Sequence, residues 1–77
     1  MKETAFKRFP GVAPLVWAVL PEVDAPPLSA REIHKMIDCY AFGAVQNVLH
    51  QLRRDGAVVS DLRTVRDAIQ KRVYAKA

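Results

Sequence analysis

Gln46, Asn47, His50, Arg53 and Arg54 crowd into nine consecutive positions of this 77-residue chain. Side-chain amides and guanidinium groups suit the edges of nucleic-acid bases: Gln or Asn bonds adenine through two hydrogen bonds, and Arg does the same with guanine. Arg and Lys also neutralise phosphates and release counterions. A second basic group, Arg63, Arg66 and Lys71, lies further on, and Arg31 with Lys35 forms a third. Residues of the same kinds also make an ordinary solvated helix face, so their chemistry depends on where the fold puts them.

Other chemistries fit poorly. His34, Cys39 and His50 are the soft metal ligands of the sequence besides its carboxylates. Their spacings match no compact zinc pattern, and a structural zinc wants four ligands. Cys39 reads better as a small buried apolar residue in a turn. A Cys39/His50 nucleophile pair has no orienting carboxylate at a recognisable spacing. Gly11, Gly43 and Gly56 are scattered, so no glycine-rich phosphate loop exists. The expectation is a protein that is not an enzyme and carries no cofactor.

The charge distribution agrees. Met1 to Leu49 holds five basic and five acidic residues, whereas seven basic residues face three acidic ones from His50 onward, so the net +4 is local to the last third. Such a basic surface is the electrostatic footprint of a nucleic-acid binder. One cysteine excludes an intramolecular disulfide, which suits a reducing, cytoplasmic setting. The apolar run from Leu15 ends at Pro21, far short of the roughly 20 residues a membrane helix needs.

The elements that must position these side chains are legible in outline. Residues 28–58 read as two short amphipathic helices, a tight connection and a strand. Ser29 and Glu32 have capping-box spacing, and Pro26 and Pro27 keep the preceding chain extended. Ile33, Met36, Ile37 and Tyr40 make one apolar stripe; Val45, Val48, Leu49 and Leu52 make another. Gly56 stands where a left-handed residue ends the second helix, and Ala57, Val58 and Val59 leave as a strand. Upstream, Val12, Leu15, Val16, Val19 and Leu20 predict a helix that ends at Pro21 and holds Pro14 in its first turn. Residues 1–11 form a lead, helical or loose, to a single domain spanning 1–77.

The tail has two readings. Leu62, Val65, Ile69 and Val73 fit an amphipathic helix over about 61–74, with Arg63, Arg66 and Lys71 outside. Residues 72–75 instead alternate like a strand that would pair with residues 57–59 across a basic loop. The strand is preferred, because a lone short strand must find partners for its hydrogen bonds. Of the aromatic residues, Phe6, Phe9, Trp17 and Tyr74 serve a core better than a base-stacking platform. Phe42 is the one that leaves the apolar stripe.

Over residues 15–75, and most clearly over 28–58, the chain resembles the winged helix-turn-helix DNA-binding family. The resemblance rests on the opening Ser29-Ala30-Arg31-Glu32-Ile33, on Ile33 and Ile37 four apart, and on Val45, Leu49, Leu52 and Gly56. His34 and Asp38 replace that family's usual Ala and Gly, and one extra residue lies between Ile37 and Val45, so the turn must differ. The resemblance implies a mainly α fold with a small β-hairpin and three helices; the alternative is all-α with the C-terminal helix. It places Gln46, Asn47 and His50 in the major groove of double-stranded DNA, and Arg53 and Arg54 at phosphates. Arg31, Lys35, Arg63, Arg66 and Lys71 become further phosphate contacts. A small transcriptional regulator follows, able to form a homodimer through its first helix or N-terminal lead. The rival expectation is a protein-interaction module, or a small phage-type inhibitor, that grips a protein partner through Tyr40, Phe42 and Ala44.

Overall fold

A computed structural model describes residues 2–65 and 69–77, with the side chains of 63–65 and 69–71 left aside. The described residues form four helices and three strands: α1 (Glu3–Arg8), α2 (Val12–Val19), β1 (Leu28–Ser29), α3 (Ala30–Met36), α4 (Phe42–Arg54), β2 (Val58–Val65) and β3 (Ile69–Lys76). The sheet is antiparallel in the order β1-β3-β2. The chain is thus a small mixed α/β fold.

Helix α4 is the centre of the packing. Val45, Val48, Leu49 and Leu52 have no exposed surface, and α4 touches α1, α2, α3 and β2. A helix of 13 residues that buries one complete stripe has no rotational freedom left, so its other faces are fixed in direction. Ile33 of α3 with Ile37 just after it, and Val12, Ala13 and Val16 of α2 with Leu20 just after it, close the core above α4. Val58 and Tyr74 close it from the sheet.

Local chemistry sets the ends. At α3 the Ser29 hydroxyl accepts from the Glu32 N–H at 3.3 Å, while the Glu32 carboxylate accepts from the Ser29 N–H at 3.0 Å, which makes the expected capping box. Gly56 ends α4 with φ +75°. Its N–H reaches the Arg53 carbonyl at 3.1 Å and the Ala57 N–H reaches that of Leu52 at 3.0 Å, the paired bonds of a Schellman motif. Pro14 sits in the first turn of α2, where its missing N–H costs nothing. The Tyr40 hydroxyl lies where a side chain on Gly11 would begin.

Several expectations change. The three-helix count becomes four, because the lead is helical: Ala5 is fully buried, and Phe6 and Phe9 pack against the core. The hairpin gains a third strand, since Leu28 and Ser29 pair with Tyr74 and Val73 on the free side of β3. The alternative C-terminal helix does not form over 61–65 or 69–74, which are strand. There, Val58↔Lys76 through Val65↔Ile69 pair continuously, and sheet pairing satisfies both backbones at once. Met36 is 57% exposed, because α3 ends there and Ile37, not Met36, faces the core. Leu15 is exposed on the flank of α2, and Cys39 is exposed rather than buried in its turn. Among the described residues no helix is long and apolar enough to cross a membrane.

Two substitutions test this packing. Leu49→Ala should cost about 2–5 kcal/mol of unfolding free energy, as expected of a fully enclosed leucine. Gly56→Ala should cost about 1–2 kcal/mol although nothing obstructs its Cβ, because only the backbone angle opposes it. Urea unfolding with an unchanged m-value measures both; an alanine at 56 that leaves the midpoint in place would contradict the left-handed helix end.

Candidate nucleic-acid interface

With its apolar stripe enclosed, α4 turns Gln46, Asn47, His50, Arg53 and Arg54 outward, and all five are exposed. Both flanks of this crest are cationic. On the sheet side, Gln46 and Phe42 share a cleft with Arg31 of α3 and Arg72 of β3. The cleft holds about 170 Å³, well below the ~300 Å³ at which small-molecule pockets begin, and suits a group the size of a phosphate. On the α1 side, Asn47, His50 and Arg54 share a shallow depression with Arg8 and Gln51.

Neighbouring groups hold these side chains in place. The Arg31 guanidinium lies 5.9 Å from the centre of the Phe42 ring, within cation–π range. Arg72 donates from Nη1 to the Ser60 hydroxyl at 3.1 Å. Arg8 donates from Nη1 to Gln51 Oε1 at 2.8 Å, and the Gln51 amide in turn donates to both Asp55 carboxylate oxygens, at 3.1 and 3.2 Å. Asp55, the one acidic residue at the end of α4, is thereby bound to a neutral amide at the flank of the crest.

The connection between α3 and α4 shows how the longer turn is accommodated. His34 Nε2 lies 2.8 Å from the Tyr40 carbonyl oxygen, and its ring meets Phe42 edge-on with centroids 5.7 Å apart. An alanine at 34 has no means of reaching across that turn; the imidazole fastens it from inside. This contact sets where α4 begins, which matters because Ala41 at its N-cap offers no side-chain acceptor.

The expected site residues therefore divide. Gln46, Asn47, His50, Arg53 and Arg54 come together on α4, and Arg31 joins them across the cleft. Lys35 is exposed on α3 and lines neither the cleft nor the depression. Arg66 lies outside the described residues, as do the side chains of Arg63 and Lys71, although β2 and β3 place Arg63 and Lys71 opposite each other in register. Tyr40 and Phe42 are half-buried, one against the core and the other between His34 and Arg31, so neither is bare apolar surface. Arg8 and Arg72 escaped the sequence reading. The alternation around Tyr74 was the signal for Arg72; Arg8 had none, since its position depends on how α1 docks.

Among the described residues, no three His, Cys, Asp or Glu side chains converge on a metal-sized site. Trp17 of α2 is flanked by the ammonium groups of Lys2 and Lys76 at 4.9 and 5.0 Å from a ring centroid. It is half-buried and lines neither the cleft nor the depression beside α4.

Loss of the His34 contact has a measurable consequence. His34→Ala should lower stability by about 1–2 kcal/mol and speed amide hydrogen exchange at Phe42 to Val45 more than at Leu49 to Leu52. Uniform acceleration along α4 would show that His34 does not hold the start of the helix.

No protein-family model matches this chain, and neither the curated proteins nor the solved structures contain a significant match to it.

Proposed function

We propose that the chain is a winged helix-turn-helix module that binds duplex DNA and acts as a transcriptional regulator. In this reading α3 and α4 are the helix pair, α4 enters the major groove and the β2–β3 hairpin is the wing. The observation that carries it is the crest of α4. Two amides and an imidazole lie along one exposed line, arginines stand on both sides, and Asp55, the acidic residue at the end of α4, is held by Gln51.

The dimensions support it. Thirteen helical residues extend about 20 Å, and a helix roughly 10–12 Å across fits a major groove about 12 Å wide. Gln46, Asn47 and His50 then meet base edges, while Arg53 and Arg54 reach phosphates. Arg31 and Arg72 receive a backbone phosphate in the cleft beside Gln46, and Arg8 receives one on the opposite strand. This geometry adds Arg8 and Arg72 to the expected contacts.

Fluorescence anisotropy with a random duplex tests the reading. Four phosphates, one each at Arg53, Arg54 and Arg8 and one shared by Arg31 and Arg72, predict a slope of log affinity against log salt of about −3.6, hence about a 150-fold loss from ~50 to ~200 mM salt. Arg54→Ala and Arg8→Ala should each reduce the slope by about one. Asn47→Ala should leave random-duplex binding nearly unchanged but cost about 1–3 kcal/mol on a selected site. Absence of binding at ~50 mM salt would overturn the proposal and favour the protein-interaction module.

A further inference from the structure

Strand β2 is the outer edge of the sheet, eight residues long, and carries two large exposed apolar residues, Val59 and Leu62, each about half exposed. An edge of this length presents a row of free backbone donors and acceptors. Three hydrogen bonds establish which residues supply that row. The Lys76 N–H points away from β2, to the Pro21 carbonyl at 2.9 Å, while the Ala77 N–H points to the Ala57 carbonyl at 3.0 Å. Odd-numbered residues of β3 therefore bond β2, and their partners Val59, Asp61 and Arg63 use their backbone groups inward. Ser60, Leu62 and Thr64 direct theirs outward. Consistently, the Leu62 N–H is taken by its neighbour's carboxylate, Asp61 Oδ1, at 2.8 Å.

We propose that two copies of this chain pair through β2, antiparallel about a twofold axis at Leu62, to make one six-stranded sheet. The sequence from Val59 to Val65 is chemically palindromic about that axis: Val-Ser-Asp-Leu-Arg-Thr-Val. Leu62 stands opposite Leu62 of the second copy, Ser60 opposite its Thr64, Asp61 opposite its Arg63 and Val59 opposite its Val65. Backbone parity allows this register, because Ser60, Leu62 and Thr64 then become the hydrogen-bonded pairs. Asp61 and Arg63 occupy the non-bonded pair, where facing positions are closest and opposite charges help most. Moving the axis by one residue sets Asp61 against Asp61 or Arg63 against Arg63, so charge selects the register. The Leu62 N–H exchanges its Asp61 acceptor for a carbonyl of the second copy, leaving the carboxylate to face the opposite charge. The edge, rather than the first helix or the lead, is the dimer surface, and Arg63 belongs to its seam.

The pairing does not depend on DNA binding and is measured without nucleic acid. Sedimentation velocity of the full chain from roughly 10 μM to 1 mM should show the mean mass rising from 8.6 kDa toward twice that value. Asp61→Arg should weaken the dimer at least about tenfold, and the exchanged pair Asp61→Arg with Arg63→Asp should restore it to within about threefold. Leu62→Pro removes a donor that β3 does not use, so it should abolish the dimer while the circular dichroism spectrum stays the same. A chain that remains monomeric throughout, or a dimer indifferent to both Asp61→Arg and Leu62→Pro, would overturn the proposal.

Discussion

Complete burial of the Val45, Val48, Leu49 and Leu52 stripe is the constraint on which everything else depends. One helix is gripped by three others and by a strand, so its azimuth cannot change without opening a cavity in the core. The polar crest owes its direction to this enclosure. Nothing on the crest itself holds α4 in place; removing Gln46, Asn47 or His50 would leave the stripe intact, and that separation lets surface chemistry vary without loss of fold.

Around that axis, short-range devices set the ends of elements at small cost. The Ser29 capping box starts α3, the imidazole of His34 fastens the turn into α4, and Gly56 releases the chain into β2. Each contributes on the order of 1 kcal/mol, modest beside the core yet a meaningful share of the stability available to a fold this small. They also fix relative positions. Because the turn is pinned at Tyr40, Arg31 and Phe42 meet, and the cleft beside Gln46 exists; because Gly56 turns the chain sharply, β2 lies against α4 and β3 brings Arg72 to the same cleft.

The sheet has two unlike edges. At β1 the ladder is only two residues long, and the free side of β3 is finished by the Pro21 carbonyl. At β2 the edge runs for eight residues, with one outward N–H occupied by Asp61. The contrast places the cationic crest and the open edge on different parts of one small scaffold, so that one exposes charged side chains and the other exposes backbone. Charge works differently in the two places. On α4 it is of one sign, at Arg53 and Arg54, whereas along β2 Asp61 and Arg63 alternate in sign.

What the sequence determined by itself was local and periodic. Ser29 with Glu32, Gly56, and the stripe from Val45 to Leu52 were legible because each needs only neighbours within two turns of helix. The outward row Gln46, Asn47 and His50 followed as its complement. The tail was ambiguous because Leu62, Val65, Ile69 and Val73 satisfy a helical period while residues 72–75 alternate; pairing between distant segments decided for strand, since only there do both backbones find partners. Met36 and Cys39 depart from the sequence pattern for a related reason, as α3 stops at Met36 and the turn after it is spanned by a His34 contact six residues long. Arg8 and Arg72 were invisible as neighbours of α4 because their separation along the chain carries no information about proximity. Docking of α1 and the register of β3 created those contacts, and both are properties of the folded whole.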